Sequence, residues 1–363
     1  MNNLFISCFA RSNVGRKRTN NEDNFYLSGV TVDSANDITA NFPLSQRLAT
    51  AVFDGMGGEA AGEVASQIAA SIFGKKSEEL INAGFSDKAI NSTISLINNY
   101  VCNDMQKQGR RMGCTYVSLG FVDNMVNIAN VGDSRAYLLR DNKLICVSKD
   151  HTVAQSMVDA GIVSYEDSQK IKEKHKLTQH MGIFPEEMIL EPYINSFEAH
   201  SDDVILLCSD GLTDMLSDSE IKAVLQLYET PENTANILVE KALENGGKDN
   251  VTVIVAKIEN YASKTVSDKP KSMRLPIIGG IVTFLILGII GGFLIADQLG
   301  FIDKVTGKLN EKFNSTTTTV TTAPDTTKKP IKDEIIQNPS ADDTDKNDLY
   351  TEKISKEYLK SNQ

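Results

Sequence analysis

The run Leu48-Ala-Thr-Ala-Val-Phe-Asp54-Gly55-Met56-Gly57-Gly58-Glu59 changes character twice within a few residues. An apolar stretch ends in a carboxylate, three glycines follow closely, and an alanine-rich segment with helical spacing begins. It reads as strand, turn and helix. Asp54 then sits at the rigid end of a strand, and Gly55, Gly57 and Gly58 let the backbone come close to a bound ion or anion. Alone, an Asp-Gly pair is an ordinary turn, so segments elsewhere must decide what Asp54 is for.

Three other segments repeat the pattern of an acidic group beside a turn residue at the end of an apolar run. They are Val131-Gly-Asp133-Ser-Arg135, Leu206-Leu-Cys-Ser-Asp210-Gly211 and Gly246-Gly-Lys-Asp249-Asn250-Val-Thr-Val. Four carboxylates at strand termini are what a site for hard divalent ions requires. Mg²⁺ and Mn²⁺ take oxygen ligands in octahedral geometry, a few from protein carboxylates and the rest from water.

The composition sets bounds on this reading. With 363 residues, 41% hydrophobic and 23% charged, the chain can bury a substantial core. A formal net charge of −11 and the lack of any long basic run argue against a nucleic-acid partner. The cysteines Cys8, Cys102, Cys114, Cys146 and Cys208 are odd in number and form no CxxC pair. They predict free thiols in a reducing compartment and no zinc site.

Residues 1 to about 260 alternate strand-like runs with a few helices. The N-terminal apolar patch, too short for a secretory signal, predicts a first strand. Further strands are expected at Leu48 to Phe53, Val126 to Val131, Ala136 to Leu139, Val204 to Cys208 and Val251 to Ile258. Helices are expected from Glu59 to Phe73 and after Ser86-Asp87, where Ile90, Ile94, Ile97, Val101 and Met105 step by three or four. Two more begin at the capping box Ser217-Asp-Ser-Glu220 and at Thr230-Pro231. Helices therefore come in two sequential pairs without long βαβ alternation, which favours sheets covered by helix pairs. The polar segment Thr152 to Thr178 reads as an inserted flap, and its lysines 170, 172, 174 and 176 as a solvated face.

The other end of the chain is different. Leu275 to Ala296 holds no charged residue over 22 positions, about 33 Å of helix, and predicts a transmembrane span. Residues 261–274 form a linker before it. Residues 297–363, with the Thr-rich run at 315–324, read as a low-complexity, disordered tail. Lys257, Lys264, Lys269, Lys271 and Arg274 before the span outnumber Lys304, Lys308 and Lys312 after it. That bias predicts a single-pass protein of the cell membrane, with domain 1–260 cytoplasmic and the tail outside.

Read together, the motifs resemble the metal-dependent protein phosphatases of the type 2C family, particularly their bacterial branch. The matching segments are Arg18-Thr-Asn-Asn21-Glu22-Asp23, Val52-Phe-Asp54-Gly55-Met-Gly57-Gly58, Gly62-Glu63-Val-Ala-Ser66, Met112-Gly113-Cys-Thr115, Val131-Gly132-Asp133-Ser134-Arg135-Ala-Tyr137, Lys149-Asp150-His151, Ser209-Asp210-Gly211-Leu212 and Asp249-Asn250-Val251-Thr252. The resemblance implies an α+β fold, a four-layer αββα sandwich of two antiparallel sheets flanked by helix pairs. It implies hydrolysis of phosphoserine and phosphothreonine in proteins by a hydroxide bridging two ions, Mn²⁺ or Mg²⁺. Asp54 would bridge them, the Gly55 carbonyl would bind one, and Asp210 and Asp249 would complete the other. Glu22 and Asp23 would hold metal-bound waters, Asp133 with Asp210 would serve a third, weaker ion, and Arg18 would receive the substrate phosphate.

The implied partners are phosphoprotein substrates and an opposing Ser/Thr protein kinase. The alternative is a catalytically inactive, membrane-tethered module that binds phosphoproteins without cleaving them. Two departures from the family stand out: Met56 takes the place of a His proposed elsewhere as general acid, and Leu177-Thr-Gln179-His180-Met181-Gly182 strays from the usual sequence. A thioether cannot donate a proton, so water would protonate the leaving oxygen.

Overall fold

The computed structural model describes residues 4–32, 36–57, 61–168, 170–171, 173 and 175–260. The chain divides into two units, Met1–Lys271 and Ser272–Gln363, and every described residue belongs to the first. The expected linker, transmembrane helix and tail at 261–363 lie outside the described residues. Among those described, no helix is long and apolar enough to cross a membrane.

In chain order the strands are β1 (Leu4–Asn13), β2 (Asn24–Leu27), β3 (Val30–Thr31), β4 (Asp37–Ser45), β5 (Leu48–Phe53), β6 (Gly55–Met56), β7 (Gly113–Cys114), β8 (Tyr116–Val122), β9 (Met125–Val131), β10 (Arg135–Arg140), β11 (Lys143–Cys146), β12 (Tyr193–Glu198), β13 (Val204–Cys208) and β14 (Val251–Asn260). The helices are α1 (Ala61–Asn82), α2 (Asp87–Gln108), α3 (Val153–Asp159), α4 (Tyr165–Ser168), α5 (Asp210–Thr213), α6 (Asp218–Leu227) and α7 (Pro231–Glu244). One sheet runs β11-β10-β13-β14-β1-β4 and the other β12-β9-β8-β5-β2-β3, with every pairing antiparallel. A short β6-β7 ladder stands apart from both.

Side-chain alternation builds the layers. Along β5, Leu48 and Val52 enter the core between the sheets, while Ala49, Ala51 and Phe53 enter the core beneath α1 and α2. Both faces are covered, so every residue of the strand is buried. In β14, Ile254, Ala256 and Ile258 fill the same inter-sheet core, and Val251, Val253 and Val255 pack beneath α6 and α7. Helix pair, sheet, sheet and helix pair therefore follow in four layers, as expected.

Most expected elements appear within a residue or two of their limits. Ser217 and Glu220 form the capping box, and Thr230 caps α7 with Pro231 in its first turn. The expected end of α1 at Phe73 is wrong, because the helix runs on to Asn82. Gly74 reads as a stop but serves packing: a Cβ there would lie 2.5 Å from the Tyr26 ring, so the glycine lets that ring lie against the helix. All five cysteines are free.

Candidate active site

At one end of the inter-sheet core the apolar residues give way to polar ones. Ser12 on β1 and Thr252 on β14 are register partners, and their hydroxyls stand 2.7 Å apart with no exposure. Asn21 donates to Ser12 (2.9 Å), and Ser209 donates to the Asp23 carboxylate (2.7 Å) while accepting from the Thr252 amide (3.0 Å). Asp23 is 2% exposed and lies on this floor. Burial pushes its carboxyl up to about 7, the hydroxyls of Ser209 and Thr252 oppose that, and Asp210 and Asp249 add to it.

Asp54 and Gly55 rest above the floor. The Asp54 amide donates to the Thr115 hydroxyl (2.9 Å), and the Thr115 amide returns a bond to the Asp54 carbonyl (2.8 Å). The Gly55 amide donates to the Glu22 carbonyl at 3.1 Å, an oxygen that Ser66 also holds at 2.6 Å. Only a glycine fits there, since a Cβ on Gly55 would sit 2.3 Å from the Gly62 carbonyl oxygen. An outer rung extends the β6-β7 ladder: Cys114 pairs with Gly55 on one side and bridges Met181 on the other. Asn98 of α2 steadies that rung by accepting from the Gly182 amide (2.7 Å) and donating to the Ile183 carbonyl (2.8 Å).

Asn250 ties the remaining loops together. Its side chain donates to the Val14 and Asn20 carbonyls, both at 2.9 Å, and accepts from the Glu22 amide at 2.8 Å. Gly211 allows Asn250 to come so close, because a Cβ there would meet the Asn250 carbonyl oxygen at 1.9 Å. Asp249 receives the Arg18 guanidinium at 2.7 Å, and both side chains remain open to solvent.

The carboxylates collect electrostatic strain. Asp54 is pushed well above the carboxylate range by burial first, then by Asp23, Asp210, Asp133 and Asp249. Burial, Asp214 and Asp249 push Asp210 up to about 6. Asp133 is raised by burial, Asp210 and Asp150, and Glu22 by burial. Glu22, Asp23, Asp54, Asp133, Asp210, Asp249 and Arg18 thus form one electrostatically connected group. Beyond it, Arg135 is clasped by Asp150 at 2.6–3.1 Å, and the Gly132 amide donates to the His151 ring at 3.1 Å.

This donor set fits hard divalent ions. It offers oxygen alone, and the repulsion that raises Asp54 and Asp133 is what the charge of a cation would relieve. Among the described residues no group of three or more His, Cys, Asp or Glu side chains is gathered tightly enough to hold an ion. Most of an octahedral shell would then fall to water, which Mg²⁺ in particular retains.

Sequence reasoning quoted Asn250 and Thr115 within motifs without seeing their bracing bonds, and it missed Ser12 and Asn98. Ser12 had a signal: it continues the inward register of Ile6, Cys8 and Ala10 on β1. Asn98 had none, since its partners at Gly182 and Ile183 are distant in sequence.

Known proteins share this fold. The family described as Protein phosphatase 2C matches residues 17–157 and 168–251. The serine/threonine protein phosphatase PstP of Mycobacterium tuberculosis is 36% identical over 265 residues, covering 71% of this chain and 46% of PstP. The chain thus spans about half the length of that relative. The serine/threonine phosphatase stp of Listeria monocytogenes is 32% identical over 254 residues, covering 68% of this chain and 94% of stp. A crystal structure of the Mycobacterium tuberculosis phosphatase superposes with a TM-score of 0.58 at 32% identity, covering 70% of this chain and 99% of that one. The PstP catalytic domain in complex with two manganese ions gives a TM-score of 0.56, also at 32% identity, with the same coverage. By its motifs, its four layers and these matches, the chain belongs to the protein phosphatase 2C family of metal-dependent serine/threonine phosphatases.

Proposed function

We propose that this chain hydrolyses phosphoserine and phosphothreonine in proteins, with two divalent ions held by Asp54, the Gly55 carbonyl, Asp210 and Asp249. The observation that carries the reading is the gathering of Asp23, Asp54, Asp133, Asp210 and Asp249, where burial and mutual repulsion raise the first four and added positive charge would relieve them. Glu22 and Asp23 would hold the surrounding waters, and Asp133 with Asp210 would serve a third, weaker site. When bound, Mn²⁺ or Mg²⁺ would supply an acidified water and charge opposing that of the phosphate.

The remaining work falls to the chain. Arg18 is half-exposed and pairs with Asp249 at 2.7 Å, so its guanidinium fork can turn to receive phosphate oxygens. Among the described residues, none of the candidate nucleophiles at the floor is free. Cys208 is fully buried and burial drives its thiol far up, Ser209 is committed to Asp23, and the Ser134 hydroxyl stands 2.7 Å from that of Thr115. His151 accepts the Gly132 amide proton, and burial lowers its pKa, so the neutral ring acts as a structural acceptor. With Met56 beside the site, the leaving oxygen takes its proton from water.

Residues 275–296 would anchor the enzyme in the cell membrane, with the catalytic domain cytoplasmic, and a Ser/Thr kinase would be its opponent. The sequence of the span supports the anchor, and the family supports the kinase. The test is phosphate release from a phosphothreonine peptide in Mn²⁺, comparing wild type with Asp210→Ala. Release by the wild type alone supports the proposal. Peptide binding without release by either protein would return the inactive, phosphoprotein-binding alternative.

A further inference from the structure

The chain carries a formal charge of −11, yet one lip of the site is basic. Arg16, Lys17 and Arg18 are consecutive and all exposed, and exposed Lys248 lies on the loop that faces them. Three contacts bring the two loops together. The Arg16 amide donates to the Gly247 carbonyl at 2.8 Å, Arg18 pairs with Asp249 at 2.7 Å, and Asn250 holds the Val14 and Asn20 carbonyls on either side.

The loop is therefore fixed, and the cations it presents need little ordering to bind. Among the described residues Arg18 alone of the four has an ion-pair partner, Asp249. Arg16, Lys17 and Lys248 have none, in contrast to the flap, where Lys170 and Lys176 pair with Asp167 and Glu173. Glu63 on α1 is occupied by the Asn20 amide at 2.9 Å.

We infer that Arg16, Lys17 and Lys248 are specificity determinants that select phosphoprotein segments with acidic residues flanking the phosphorylated serine or threonine. The inference rests on the phosphatase reading above, with Arg18 as the phosphate receptor. A peptide whose phosphate reaches Arg18 must pass along the 15–18 and 247–249 loops. Acidic side chains beside the phosphate would meet three uncompensated cations, and basic ones would be repelled. Each exposed pair is worth little, so the effect is a graded preference and not an absolute filter.

The test uses the full chain in detergent with Mn²⁺ and three phosphothreonine peptides that differ only in acidic, neutral or basic flanks. For the wild type, kcat/KM for the acidic peptide should exceed that for the basic one by roughly 10-fold. That ratio should shrink toward 1 as salt rises from about 0.05 to about 0.5 M. The double variant R16E/K17E, whose changes lie on exposed side chains, should invert the order of the peptides. Hydrolysis with a wild-type ratio near 1, or a ratio unchanged in R16E/K17E, overturns this inference and leaves the phosphatase reading standing. No hydrolysis of any peptide by the wild type would remove both. If anionic vesicles capture the wild type but not R16E/K17E while the peptide ratio stays the same, the lip belongs to a lipid surface and the inference fails.

Discussion

The carboxylate-bearing loops and the inserted flap line one pocket, the loops through Asp133 and Asp210 and the flap through Tyr165, Ser168 and His175. They are held in opposite ways. The loops are braced by partners far apart in the chain: Ser12 with Thr252, Asp23 with Ser209, and Asn20 with Asn250. Between its neck contacts, Val153 to Lys176 and Thr178 to His151, the flap relies on local bonds such as Ser164 to Asp167 and Ser168 to Tyr165. Charge follows the same division. The loops gather carboxylates of which Asp249 has Arg18 as an ion-pair partner, whereas in the flap Lys170 and Lys176 each pair with an acid three residues away.

The difference shows what each region contributes. Rigid bracing by buried polar groups can hold like charges together, so the loops bear a cost that a bound cation would offset. The sharpest way to break the comparison is Asp210→Asn. It should lower phosphate release by roughly 10²–10³-fold and weaken Mn²⁺ binding in calorimetry. It should also raise the Tm of the metal-free protein, because one strained charge is gone. A fall in metal-free Tm would mean that Asp210 stabilises the fold and that the loops carry no electrostatic cost.

Next in size is Asn250→Ala. Three side-chain hydrogen bonds vanish, and the Glu22 amide and two carbonyls lose their partner, so urea unfolding should show a loss of about 3 kcal/mol. A loss no larger than that of an exposed residue would mean the loops hold their shape without this brace.

Changing pH gives a smaller effect of the same origin. Asp23 is raised to about 7 and Asp210 to about 6, both above their unfolded values. A raised carboxyl favours the folded state fully below its unfolded pKa, near 3.9, and that contribution is lost as pH climbs through 6 to 7. Metal-free protein should therefore lose about 5 °C of Tm between pH 5 and 8, a loss that saturating Mn²⁺ removes. Equal slopes with and without Mn²⁺ would detach the carboxylate cluster from ion binding.

How legible each region was in the sequence follows from the same physics. Strand β5 and its terminal Asp54 could be read because burial on both faces demands an unbroken apolar run, and a carboxylate ends it abruptly. Helix α2 could be read because one face alone is buried, at Ile90, Ile94, Ile97, Val101 and Met105. Strand β8, Tyr116–Val122, was not singled out, since Ser118 and Gly120 interrupt its apolar run. The Asp123-Asn124 turn after it was a usable signal, for both residues adopt positive φ as a tight hairpin requires. The acids of the site could be found by their place at strand ends. Their braces could not, because a bond such as Asn98 to Gly182 depends on which loop meets which helix after folding.

The flap provides the smallest expected effect, and its smallness is the point. Lys170 pairs with Asp167 and Lys176 with Glu173, in each case three residues apart and largely in water. Such pairs gain little over hydration and lose side-chain entropy when held together. Replacing Lys170 and Lys176 together by Ala should shift Tm by under about 1 °C and leave Mn²⁺ affinity unchanged, because no bond from either ammonium reaches the carboxylate loops. A drop in Mn²⁺ affinity in that double variant would show that the flap helps to hold the loops. The contrast between non-local bracing and local closure would then have to be given up.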